Sequence, residues 1–125
     1  MMPLHSNQDS ESISNILHQV LHDMDACVTA QERIIMEERA AMKVFDGNKL
    51  AALVEQRARC QSELGELESV CQRLILLADV GDKFEALIDT YAADDADALQ
   101  SQRIELSRRM QHLEQEHIEN HIRLR

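Results

Sequence analysis

Aromatic side chains are almost missing from this chain: 2% of 125 residues, with two Phe, one Tyr and no Trp. A core without rings has to be built from Leu, Ile, Val, Met and Ala, which suits helix-on-helix packing better than a sandwich or barrel. Proline occurs once and glycine three times, too few breaks for an all-β chain with its frequent turns. Long hydrophobic runs are missing as well. Nowhere do 18 uncharged apolar residues follow one another, so no membrane insertion is expected. The opening MMPLHSNQDS has neither the basic region nor the apolar run of a signal peptide. Cationic charge is scarce, 13 Lys+Arg against 23 Asp+Glu for a net −10. That balance makes nucleic acid and anionic membranes poor partners and keeps a chain soluble. The three cysteines, Cys27, Cys60 and Cys71, show no CxxC spacing, and a reduced, cytoplasmic setting follows most simply.

What the chain does have is apolar periodicity. A stripe falls at Leu17, Leu21, Met24, Val28, Gln31, Ile35, Glu38, Met42 and Phe45, in alternating steps of four and three that mark a helix packed along its length. Past Asp46-Gly47-Asn48 it resumes at Leu50, Leu53, Arg57, Cys60, Leu64, Leu67, Cys71, Leu74 and Ala78. Two stripes of equal length joined by three residues predict an antiparallel helical hairpin. The expected class is all-α: this hairpin plus a third long helix, forming an elongated three-helix bundle or coiled coil with a short connecting helix.

As one domain, the chain divides into a frayed polar terminus (1–11), helix one (12–45), helix two (48–80), a short helix (82–91) and helix three (95–124). Ser12 or Ser14 is the expected cap of helix one, Gly47 its left-handed terminus, and Asn48 the cap of helix two. Gly81 would end helix two and Asp82 would cap the short helix, with Phe84 and Tyr91 plugging the open end of the bundle. Folding about residue 47 sets Arg57 opposite Glu37 or Glu38, an expected register-setting polar contact. The same register brings Cys27 and Cys71 within about one turn of each other, where they read as small buried hydrophobes rather than a thiol pair.

Helix three carries Leu99, Arg103, Leu106, Met110, Leu113, His117, Asn120 and Leu124 on a seam more polar than the others. Ile104, Ile118 and Ile122 form a second strip on a different face. His18 with His22 and His117 with His121 have the i, i+4 spacing that can chelate a metal. HIENH is not HExxH, however, and parallel packing of helices one and three would separate the two pairs, so no metal is expected. No phosphate loop, GxSxG or tuned carboxylate pair is present; neither an enzyme nor a cofactor is expected.

The stretches AQERIIMEERAAM (Ala30 to Met42), DGNKL (Asp46 to Leu50) and LAALVEQRARCQSELGELE (Leu50 to Glu68) resemble the FlgN family of flagellar export chaperones, a likeness that covers roughly Ile13 to Ile122. It departs in the turn, Asp-Gly-Asn rather than Gly-Asp, and in HLEQEHIEN, where Asn-rich sequence is usual. The chain also ends at Arg125 without the tail of many relatives, which places tail-dependent binding in question. The resemblance implies a cytosolic type III export chaperone. Its clients would be flagellar hook-associated (hook–filament junction) proteins, whose amphipathic C-terminal helices it would cover and deliver to components of the export apparatus. The spare apolar strip then points to helix three as the client surface: Leu106, Met110, Leu113, Ile118 and Ile122. The alternative is a structural or adaptor protein that self-associates, as a homodimer for instance, through that strip.

Overall fold

A computed structural model describes residues 7–78 and 84–123 and is helical throughout their length apart from the turns. Four α-helices follow in order, α1 (Asn7–Lys43), α2 (Gly47–Ala78), α3 (Phe84–Tyr91) and α4 (Ala96–Arg123), with a 3₁₀ turn at Ala93–Asp95. The fold is the expected all-α bundle. Residues 1–6, Val80, the Gly81 end of helix two, its Asp82 neighbour and Leu124 lie outside the described residues. Helix α1 starts at Asn7, earlier than Ser12, because residues 7–11 hold neither Gly nor Pro to stop it. Ser12 and Ser14 therefore sit inside the helix instead of capping it.

The hairpin turn differs from its expected form. Phe45, not Gly47, takes the left-handed conformation (φ 54°). Phe45 N–H donates to the Met42 carbonyl (3.3 Å) and Asp46 N–H to the Ala41 carbonyl (2.9 Å), the paired bonds of a Schellman terminus with Phe45 in the position glycine usually fills. Asp46 then caps α2. Its side-chain Oδ1 accepts from Lys49 N–H (3.0 Å) and its carbonyl from Leu50 N–H (3.1 Å), so Asn48 is not the cap. An aspartate two residues ahead of Asn48 reaches the free amides first, and Gly47 is left as the opening residue of the helix.

Helix α1 is the spine. Leu17, Leu21, Val28 and Ile35 are buried on it, together with Ile75 and Leu74 of α2, Leu87 and Ile88 of α3, and Leu99, Leu106 and Leu113 of α4. Phe84 and Tyr91 are half-buried against this core. Each fully buried Leu or Ile contributes about 1.5–3 kcal/mol relative to exposure. Arg57 meets Glu38 across the hairpin, and both are buried; Glu37 turns outward to Arg33 and Lys49.

Helix α4 runs parallel to α1, pinned at three heights. His18 meets Asp95 (3.1 Å). Arg109 reaches Asp25 (2.5 Å), Thr29 (3.0 Å) and Glu32 (2.6 Å). Arg39 donates to the buried Asn120 Oδ1 (3.0 Å) and pairs with Glu116.

Two outcomes follow. Phe45 is 92% exposed, so Phe45→Gly removes the left-handed penalty at almost no loss of packing and should stabilise the protein by about 0.5–1 kcal/mol in urea unfolding. Glu38→Ala leaves the Arg57 guanidinium buried and unpaired and should destabilise by about 3–5 kcal/mol, whereas the double replacement Glu38→Leu with Arg57→Met should come out near wild type.

Candidate functional site

The α4 seam that reads as one stripe in the sequence divides in the structure. Its members at every seventh position, Leu99, Leu106, Leu113 and Asn120, are buried. The members between them, Arg103, Met110 and His117, are only half-buried. Helix α1 divides the same way, with Leu21, Val28 and Ile35 buried and Met24 and Gln31 half-buried. All these half-buried residues line one feature, an open groove between α2 and α4 with α1 as its floor.

Among the described residues no Cα of α2 lies within 8 Å of one of α4, although directly packed helices sit 8–10 Å apart axis to axis with closer Cα pairs. The gap holds two cavities in line. One, of about 550 Å³, lies among Met24, Cys71, Ile75, Phe84, Leu106 and Met110. The other, of about 340 Å³, lies nearer the hairpin tip among Gln31, Ile35, Leu64, Leu113 and His117. Gln111 lines the first cavity. Ile104 and Ile118 stand seven residues either side of it, two turns along the same face, so the exposed isoleucine strip forms the outer shoulder of the groove.

The five residues expected on the client surface do not share one outward strip. Leu106 and Leu113 are buried in the intramolecular core, at the inner edge of the groove. Met110 looks into the gap. Ile118 and Ile122 are 52% and 61% exposed. Reading α4 alone merged two phases because leucines at sevenfold spacing and the residues between them follow the same four-three pattern. The walls supplied by α1 and α2 went unnoticed, yet a partial signal existed: of the polar interruptions, Gln31, Arg103 and His117 face the gap, whereas Glu38 and Asn120 are buried away from it.

The polar groups within the groove are unusual. Gln31 Nε2 and His117 Nδ1 are buried without a hydrogen-bond partner among the described residues. Burial, aided by the nearby Arg57 guanidinium and by His121, holds the His117 imidazole below its ordinary range. The Cys71 thiol in the groove wall is pushed up to about 11, mainly by burial and also by Glu68. The Cys27 thiol is also pushed up to about 11, again chiefly by burial, and donates to Glu63 (3.5 Å); it does not face Cys71. All three cysteines are free thiols. His18 is engaged with the Ser14 carbonyl (2.8 Å) and Asp95, while His22 lies beside Asp23. No three metal-ligating side chains converge among the described residues, and no described helix is long and apolar enough to cross a membrane. Comparison with protein-family models, with curated proteins and with solved structures returned no match.

The depressed His117 imidazole has a definite sign for stability. The unfolded chain takes up the proton near pH 6.5 while the folded chain resists it, so this contribution is present above pH 6.5 and lost as pH falls further. His117→Gln should therefore show a shallower loss of stability than wild type between pH 7 and pH 5 when melting midpoints are compared across that window.

Proposed function

We propose that this chain is a binding module that captures an amphipathic helix in the groove between α2 and α4. One observation carries the reading. Two long helices are each fastened to α1 but stand apart from one another, and the half-buried phase of α1 and α4 faces the space between them. An apolar trough of that form accepts a helix through anchors at i, i+3, i+4 and i+7. The strip Ile118 and Ile122 on the α4 shoulder then covers the outer side of the bound helix, with Met110 beneath it.

The resemblance of the hairpin sequences to FlgN proteins gives this module its role. We read it as a cytosolic type III export chaperone that holds the C-terminal helices of flagellar hook-associated proteins, prevents their premature assembly and hands them to the export apparatus. No step of such work needs a cofactor or bond-making chemistry. The net charge of −10 keeps the chaperone–client complex in solution. The exposed isoleucines favour one other reading, self-association as a helical adaptor.

The test is peptide capture followed by fluorescence anisotropy, with light scattering on the same samples. Ile118→Glu with Ile122→Glu should weaken capture of an amphipathic helix by about ten- to a hundredfold while helicity by circular dichroism is unchanged. Undiminished capture by that variant removes these two residues from the site. A stable wild-type oligomer indifferent to peptide would establish the adaptor reading in place of the chaperone.

A further inference from the structure

Resting on the helix-capture reading, we propose that the groove selects a client helix with two basic residues about two turns apart, on opposite flanks of its apolar face, and one hydrogen-bonding side chain within that face.

The charges come first. Four charged side chains border the two cavities: Arg57, Glu68, Arg103 and Glu114. Arg57 is neutralised by buried Glu38, and Arg103 donates its Nε to Gln100 (2.9 Å). Glu68 and Glu114 have no ion-pair partner among the described residues. Arg103 likewise has no ion-pair partner among the described residues, since Gln100 is a neutral amide, so the groove presents two free carboxylates, one on each wall, against one free guanidinium on α4, and the balance stays negative. Glu68 and Glu114 line the same cavity; the register that pairs Arg57 with Glu38 sets Glu68 opposite about residue 27 of α1, the pairing of Arg39 with Asn120 sets that height at about residue 108 of α4, and Glu114 lies about six residues farther along. At 1.5 Å per residue the two carboxylates stand about 9 Å apart along the groove. An entering helix meets one exposed anion on each flank, about two turns apart, and shields both from water as it seats, where opposite charge is favoured more than on open surface. A second copy of this chain, itself carrying −10, brings like charge to that boundary and is the poorer occupant.

The polar floor supplies the second element. Gln31 Nε2 is a donor only, and no described group accepts from it. His117 Nδ1, across the cavity of about 340 Å³, is also without a partner. Both atoms are already shut off from water in the free chain, so a wholly aliphatic client face leaves them as they are, whereas a client polar side chain that Gln31 turns to meet gains a hydrogen bond. A Gln, Asn, Ser or Thr at that height supplies the acceptor and fixes the register of the bound helix, as a buried polar residue does in a coiled coil. The groove thus reads charge at its rim and one polar position at its floor.

The experiment uses the full chain and synthetic amphipathic peptides with one common leucine face. The first peptide has two Lys on opposite flanks and a central Gln, the second has Glu in place of both Lys, and the third has Leu in place of the central Gln. Wild type should bind the first about tenfold more tightly than either of the others. Glu68→Lys with Glu114→Lys, both exposed positions that leave the core untouched, should invert the preference between the first two. Gln31→Leu with His117→Leu should abolish the preference between the first and third. Equal binding of all three peptides, lost on Met110→Asp, would overturn the selectivity while leaving helix capture intact. Absence of binding by every peptide would overturn both, and self-association that Met110→Asp disperses would put a second copy in the groove instead.

Discussion

Everything in the bundle depends on α1 being shared. Leu21, Val28 and Ile35 are buried along it, and both α2 and α4 lean on the same helix without meeting each other. In a closed three-helix bundle each helix contacts the other two and no polar residue is left facing the axis. Closing the gap here would press Gln61, Glu68 and Gln72 of α2 onto Arg103, Glu114 and His117 of α4. Taking that many polar and charged groups out of water with imperfect pairing is more costly than the few methyl contacts it would gain. The opening between the helices is thus written in side-chain chemistry rather than left by poor packing.

Leucines repeating every seven residues do not by themselves fix how far one helix is slid along another, since a one-heptad slip restores nearly the same contacts. The polar pins remove that degeneracy. Arg57 with Glu38 locks the hairpin register. Arg109, with Asp25 and Glu32, and Arg39, with Asn120 and Glu116, lock α4 in parallel alignment. Ion pairs of this kind, partly or wholly buried, add little net stability over an apolar replacement, and their service here is alignment. With register fixed, the half-buried phase of α4 stays directed at the gap along its whole length, which keeps the groove walls in place.

Much of this was legible in the residues. The four-three stripes gave the hairpin, and counting outward from the turn placed Arg57 opposite Glu37 or Glu38, of which Glu38 is the partner. The parallel course of the last helix was expected as well, since a third long helix after a hairpin returns in the direction of the first. What escaped was whatever depends on local competition or on a third body. Asp46 outcompetes Asn48 as a cap because it sits first in line, and Phe45 takes the left-handed position because the helix end, not glycine content, decides which residue must turn. Leu106 and Leu113 were grouped with Met110 because one helix read alone cannot say which of its two interleaved phases meets a neighbour. That distinction needs α2, whose facing residues Gln61 and Glu68 look in sequence like an ordinary solvated face.

The same accounting bears on how an acidic chain holds an apolar trough without closing on itself or on its copies. Isoleucines at 104, 118 and 122 are exposed along one shoulder of α4, enough apolar surface to invite association. Glu114 stands beside them and Glu68 across the groove on α2, and behind them lies the polar floor of Gln31 and His117. A second helix that is merely greasy forgoes a bond to the floor groups, which are unpartnered already, and one that is acidic meets two carboxylates, so each falls short by a term that has nothing to do with hydrophobic area. Apolar burial supplies the strength of an interaction in such a trough, and the polar groups restrict which helix can draw on it. A groove so bordered stays open in isolation for the same reason that it is selective.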